Sequence, residues 1–154
     1  MPQLLQAERR DHIEIVRELL REYERALGVD LCFQGFATEL ETLPGNYAPP
    51  SGRLLIAWHE GHAVGCVALQ RVDAQRGEMK RLYVRPAARG LGLGRTLVER
   101  VLDDARVIGY KRVVLDTLPT MIEAQRLYEQ FGFVDIEPYR ANPIVGTRYL
   151  GKSL

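Results

Sequence analysis

What this sequence lacks most plainly is an excess of charge of either sign. Its 21 lysines and arginines face 20 aspartates and glutamates, so the formal net charge is +1. A dedicated nucleic-acid binder usually carries a strongly basic balance, so that class of partner is not expected. Cysteine is also scarce. Cys32 and Cys66 are the two in the chain, too far apart for a metal-ligand spacing and too few for a disulfide framework. They read as reduced thiols of a cytoplasmic protein. Long apolar runs are missing too. None approaches the roughly 20 residues of a membrane span, and the opening MPQLLQAERRDHIE has no apolar signal core. No membrane partner and a cytoplasmic location are therefore expected. Histidine is equally sparse, and His59 and His62 bracket a turn in HEGH rather than forming HExxH, so no metal site is expected. Repeats, linkers and low-complexity segments are absent.

What remains is an ordinary globular composition, 46% hydrophobic and 27% charged over 154 residues, which fits a single domain spanning 1–154. A chain of this size buries roughly two thirds of its unfolded surface, enough for a real core. Gln3 to Ala7 reads as a short first strand. From Glu8 to Leu27, Ile13, Val16, Leu20, Tyr23 and Leu27 recur at steps of three and four, which predicts an amphipathic helix ended by Gly28. A shorter helix is expected within residues 31–42. PGNYAPPSG, at 44–52, is expected to hold no regular structure because its prolines and glycines break any ladder. RLLIAW and HAVGCVALQRV, separated by HEG, read as a hairpin. Gly77 opens a third strand, EMKRLYV, that stops before Pro86. A helix follows with Leu93, Leu97, Val101, Ala105 and Ile108 on one stripe, closed by Gly109. RVVLDT is an apolar strand. Pro119 stands near the start of a helix carrying Ala124, Leu127, Tyr128 and Phe131, which ends at Gly132. FVDI and TRYLGKSL are the last strands. The order is strand, two helices, three strands, helix, strand, helix, two strands.

The chemistry concentrates in VRPAARGLGLGRTLVERVL. A helix N-terminus leaves its first amide N–H groups unpaired and carries partial positive charge. Glycines just before it let the backbone approach an anion, so strand, glycine-rich turn and helix together make a pyrophosphate site. Arg89 and Arg95 add charge-assisted hydrogen bonds. The turn is not a dinucleotide-binding GxGxxG, because counting from Gly90 the third glycine position holds Arg95. It is not a P-loop either, since no Gly-Lys-Ser/Thr follows. A helix-capping loop whose glycines serve packing is the alternative.

Arg89-Gly90-Leu91-Gly92-Leu93-Gly94 resembles the Arg/Gln-x-x-Gly-x-Gly/Ala signature of the GNAT acetyltransferases. EMKRLYVRPAAR is similar to their fourth strand, and EAQRLYEQFGF to their A-x-x-x-Y-x-x-x-G-F element. The order and spacing of the strands and helices fit that fold over nearly the whole chain. The resemblance implies an α/β protein with a single central mixed, mostly antiparallel sheet of about six or seven strands, flanked by about four helices. It also implies a parallel pair of strands, the fourth and fifth, that splay apart to hold acetyl-CoA. Leu82, Tyr83 and Val84 would then offer backbone groups to the pantetheine arm, and Arg89, Gly90, Leu91, Gly92, Leu93, Gly94 and Arg95 would cradle the pyrophosphate. One departure is visible: Met121 stands where many members carry an asparagine.

The implied activity is acetyl transfer from acetyl-CoA to a primary amine, more readily on a small molecule than on a protein. The amine must lose a proton, the oxyanion needs a donor, and the departing thiolate needs a proton. Tyr128 matches the family's general acid. On pattern alone it belongs to the apolar face with Ala124, Leu127 and Phe131. Glu78 lies where some members carry a general base, and reads equally as a solvated carboxylate at a strand end. An amide near Tyr83 or Val84 would serve the oxyanion. Glu39 and Glu41 would attract a cationic amine. Tyr139, Asn142 and Arg148 are candidates for the acceptor site, with Arg148 placed to pair with a substrate carboxylate. The competing reading is a non-catalytic acyl-CoA sensor of the same fold. A homodimer is the assembly the resemblance allows.

Overall fold

The computed structural model describes residues 2–31 and 35–154; Cys32 lies outside the described residues. In chain order the elements are β1 (Gln3–Gln6), α1 (Arg10–Leu27), α2 (Phe36–Thr42), β2 (Arg53–His59), β3 (His62–Arg71), β4 (Arg76–Val84), α3 (Leu93–Ile108), β5 (Arg112–Thr117), α4 (Ile122–Gln130), β6 (Val134–Asp135) and β7 (Arg148–Ser153). The strands form one seven-stranded sheet in the order β1-β2-β3-β4-β5-β7-β6. All neighbours are antiparallel except β4 and β5. The expected α/β fold, its mostly antiparallel sheet and its single parallel pair are all present.

Local chemistry explains most boundaries. Gly28 takes φ +68 and its N–H closes α1 on the carbonyls of Glu24 and Arg25. Glu60 and Gly61, both with positive φ, make a two-residue turn between β2 and β3, the geometry that matches the twist of a hairpin. The segment 44–52 departs from expectation. Gly45–Tyr47 forms one turn of 3-10 helix, because the stretch between Pro44 and Pro49 is free of proline and Tyr47 is buried as its anchor. Pro119 is not the first residue of α4. It sits in the preceding turn, and Met121 caps the helix. FVDI pairs only through Val134 and Asp135.

The sheet has a core on each face. Leu97, Val98, Val101 and Ala105 of α3 are fully buried against Leu55, Val67, Val113 and Leu115. Truncating a leucine of this kind, Leu97→Ala, costs about 2–5 kcal/mol. On the other face Val16, Leu19 and Leu20 of α1 pack with Phe36 of α2 on Leu54, Ile56, Cys66 and Ala68. The apolar stripe of α1 outlasts this core: Tyr23 and Leu27 are only half-buried.

Strand β4 is interrupted in its middle. Cys66 pairs with Tyr83 and Ala68 with Lys80, so Arg81 and Leu82 together oppose Val67 alone. This is a β-bulge, and Arg81 takes φ +63, a left-handed conformation that costs a non-glycine residue about 1–2 kcal/mol. The freed carbonyl of Arg81 accepts the buried Cys66 thiol at 3.5 Å. Burial pushes that thiol up to about 12, so it stays protonated. The Arg81 side chain is 3% exposed and is held by Glu39 of α2. Its Nε donates to Oε2 at 3.0 Å and its Nη2 to Oε1 at 2.8 Å, over the Phe36 ring. Burial alone would raise the Glu39 carboxyl. The hydrogen bonds and charge of Arg81 outweigh it, and the group sits below its ordinary value.

Because the folded state lowers the Glu39 pKa, this stabilisation is present above the unfolded value, about 4.3, and is lost as pH falls through the folded one. Glu39→Ala leaves a buried guanidinium unpaired and should destabilise the protein by about 3 kcal/mol at neutral pH. Denaturant titrations should show the gap between variant and wild type narrowing below pH ~4.5. A constant gap down to strong acid would remove the ion pair as its source.

Candidate active site

The parallel strands part soon after they meet. Arg76 pairs with Arg112, Gly77 with Val113 and Glu78 with Val114, and there the pairing stops. From Met79 to Val84 the β5-facing edge of β4 has no strand partner. A cleft of about 570 Å³ fills the gap. Leu82, Tyr83 and Val84 line one wall, Tyr23 and Leu27 of α1 a second, and Met121, Ala124 and Leu127 of α4 a third. Arg89, Gly92, Leu93 and Gly94 close one end. The mouth of β4 is braced to α1, where Glu22 accepts from the Tyr83 hydroxyl at 3.3 Å and from Arg85 Nε and Nη2 at 3.0 and 2.7 Å.

Residues 89–95 form a turn that runs into the first turn of α3. Gly92, at φ +76, caps α3, and the first helical hydrogen bond there runs from Thr96 N–H to its carbonyl. The amides of Leu93, Gly94 and Arg95 precede that bond, and the first turn holds no acidic residue. A Cβ on Gly94 would stand 3.4 Å from Leu127 Cδ2, so a side chain there would crowd the α4 wall. The side chains divide. Arg89 lines the cleft and its Nε donates to the Val84 carbonyl at 3.1 Å. Gly90 and Leu91 form the exposed outside of the turn. Arg95 lies over the Phe131 ring and bonds Gln130, so its guanidinium is turned from the cleft while its amide remains in the helix's first turn.

Tyr128 and Glu78 stand behind these walls rather than on them. Tyr128 is 5% exposed, one turn along α4 from Ala124, with its ring 5.8 Å from that of Phe133. Burial, then the neighbouring Tyr23 and Asp116, push its hydroxyl well above the ordinary tyrosine value, so it stays protonated. Glu78 is the third residue of β4 and 0% exposed, which excludes a solvated carboxylate. Gln70 Nε2 donates to it at 2.8 Å, Tyr139 Oη at 2.6 Å and Arg140 Nη2 at 2.5 Å.

The cleft adjoins a small pocket of about 30 Å³, with which it shares Tyr23, Leu27 and Met121. Lys80, Arg81, Asp116 and Asn142 make up that pocket's polar wall. Asn142 Nδ2 donates to Asp116 at 3.2 Å. Arg148 is not available to a substrate carboxylate, because Asp135, Glu129 and Gln125 already accept its hydrogen bonds. Glu39 is engaged with Arg81, whereas Glu41 is exposed with no such partner among the described residues. Sequence reasoning missed Tyr23, Lys80, Asp116 and Arg140. Tyr23 left a trace, as the polar-tipped member of an otherwise apolar stripe. Among the described residues no group of His, Cys, Asp and Glu is arranged to hold a metal, and no helix is long and apolar enough to cross a membrane.

The family model described as the acetyltransferase (GNAT) family matches residues 13–133. An uncharacterized N-acetyltransferase of Schizosaccharomyces pombe is 46% identical over 134 residues, covering 86% of this chain and 82% of that protein. A solved acetyltransferase of Streptococcus agalactiae superposes with a TM-score of 0.83 over 99% of this chain and 98% of its own, at 24% identity. A GNAT family acetyltransferase of Elizabethkingia anophelis, solved with acetyl-CoA bound, matches 68% of this chain and 77% of its own with a TM-score of 0.58 and 25% identity.

Gly92→Asp places a carboxylate at the cleft end. Nothing lies within 4 Å of a Cβ there, and aspartate tolerates positive φ better than most residues, so the variant should fold. Calorimetry should show CoA affinity lowered at least about tenfold, and a smaller loss for Arg89→Ala. A folded Gly92→Asp protein with unchanged affinity would remove this turn from the site.

Proposed function

The chain belongs to the GNAT acetyltransferase family, and from that premise we propose that it moves the acetyl group of acetyl-CoA to a primary amine of a small molecule by direct attack on the thioester. It is an acyltransferase by its family and fold. The observation that carries the finer reading is the splay itself. An unpaired edge of β4 faces a cleft that runs from a helix N-terminus at one end to a charged pocket at the other. The pantetheine arm would take the vacant backbone positions at Leu82, Tyr83 and Val84, and the pyrophosphate would take the amides between Gly90 and Arg95. The amine would then enter from the Lys80–Asp116 side.

Each proton has a proposed carrier. The amine attacks the acetyl carbon as the neutral base, so its ammonium proton leaves first. Glu78 would receive that proton through Tyr139, whose hydroxyl donates to it at 2.6 Å. An amide near Tyr83 or Val84 would hold the oxyanion. As the carbon–sulfur bond breaks, Tyr128 would give its proton to the thiolate, and the second proton released by the attacking nitrogen would restore the Tyr128 hydroxyl. The high pKa of that hydroxyl keeps the proton in place until the bond breaks. The sensor reading draws on one specific observation: neither Tyr128 nor Glu78 stands on the cleft wall.

A screen of amines with acetyl-CoA, read by free-thiol release, separates the two. Turnover supports the enzyme, whereas tight CoA binding with no release from any amine supports the sensor. With an acceptor in hand, Tyr128→Phe should lower turnover by roughly 10²–10⁴ and move the melting temperature little. Unchanged turnover with a lower melting temperature would make it a packing residue. Glu78→Gln should lower turnover and abolish the acidic limb of the pH–rate profile, with CoA affinity retained. It also leaves Arg140 without a counterion, so stability must be measured beside rate.

A further inference from the structure

Beyond the small pocket lies a larger polar one of about 300 Å³, bounded by α2 and by residues 43–47. Lys80 lines both pockets. The other cations on their walls are paired. Arg81 is bound to Glu39 and Arg140 to Glu78. The Lys80 ammonium makes no hydrogen bond or close ion pair with any described residue, and meets the charges of Glu78 and Glu39 only at longer range. Asp116 receives one uncharged donor, Asn142. Lys80 and Asp116 hold the register positions two beyond the last paired residues, Glu78 and Val114, on the diverging strands. They are opposite charges on the wall of one small pocket at the point where the strands begin to separate.

An ammonium that is partly withdrawn from water without a counterion is costly. Burial already lowers the Lys80 pKa from its ordinary value. Arg140, which also lines the larger pocket, is already held by Glu78, so Lys80 is left to meet an anion there, and Arg148 cannot serve one.

Resting on the acetyl-transfer reading, we infer that the acceptor is a small amino acid, held through its carboxylate by Lys80 with its amine directed towards Asp116. The reaction then exchanges the acetyl carbon–sulfur bond for a carbon–nitrogen bond. The amine loses one proton, and the products are an N-acetyl amino acid and free CoA thiol.

The test is thiol release with acetyl-CoA and a panel of α- and ω-amino acids, each beside its carboxamide. The acids should be preferred. Lys80→Met should raise the KM of the preferred acid about 10- to 100-fold, the worth of a charged hydrogen bond, and erase its advantage over the carboxamide. The KM for acetyl-CoA should stay within a few-fold, and Lys80→Arg should recover part of the loss. Carboxamides accepted as readily as acids, or a preference that survives in Lys80→Met, would overturn the inference while leaving acetyl transfer standing. A thermal-shift series on the CoA-bound protein reads the acceptor site without turnover. An acid-dependent rise in melting temperature that Lys80→Met abolishes, with no thiol release, would keep the site and sink the catalytic reading. Neither a shift nor release would overturn both.

Discussion

The ion pair between Arg81 and Glu39 holds a strained backbone in place, and the cleft depends on that backbone. A bulge adds a residue to one strand, bends it and increases its twist. In β4 the bulge falls three residues after the last pairing with β5, so the bend carries the rest of the strand away from its parallel neighbour. Arginine is a poor choice for a left-handed position if backbone energy were the only term. Here its guanidinium is sealed by two hydrogen bonds and lies over Phe36, and these contacts offset a conformational cost of about 1–2 kcal/mol. The same pair fastens α2 to β4. One interaction thus ties the bulge beside the cleft to a helix that bounds the larger polar pocket.

Much of the fold could be read from local pattern. The stripes of α1 and α3, the glycines at 28 and 109 and the hairpin at Glu60-Gly61 act within a few residues, and the chain obeys them. At 44–52 the prolines suggested no regular structure, but a buried tyrosine supports one short turn between them. Pro119 does stand near the start of α4, in the turn that precedes its cap Met121. At 44–52 the burial of Tyr47, a contact distant in sequence, decided the outcome.

The site divides along the same line. The glycine-rich turn is a local device, so it was legible, and the splay followed from resemblance. The proposed acceptor side was legible only in part. Glu39, Tyr139 and Asn142 could be named, but not the pairing of Glu39 with Arg81, 42 residues apart, or of Glu78 with Arg140, 62 apart. Nothing in the spacing of these charges announces that they meet. The bulge hides them further, because it shifts the inside–outside alternation of β4 in the middle of the segment that matters. Lys80 reads as an ordinary strand lysine until the partners of its neighbours are known. Arg148 looked the better anion ligand, but Asp135 and Glu129 hold it.

The arrangement of charge also bears on how an amine becomes reactive here. A carboxylate close to an ammonium favours the charged form, and a nearby cation favours the neutral one. Asp116 alone would draw an amine in and keep it protonated. Lys80 acts in the opposite sense until a substrate carboxylate neutralises it. A bound amino acid would bring both charges and meet both groups, leaving the pocket close to neutral. Deprotonation then needs a base outside the pair. Glu78 would take that part through Tyr139, since its burial under three donors would keep it from binding the ammonium directly. The separation of the group that attracts the amine from the group that takes its proton is what the two diverging strands make possible. Asp116 sits on β5 and lines the small pocket, whereas Glu78 sits on β4 at the last position where the two strands pair, buried behind that wall.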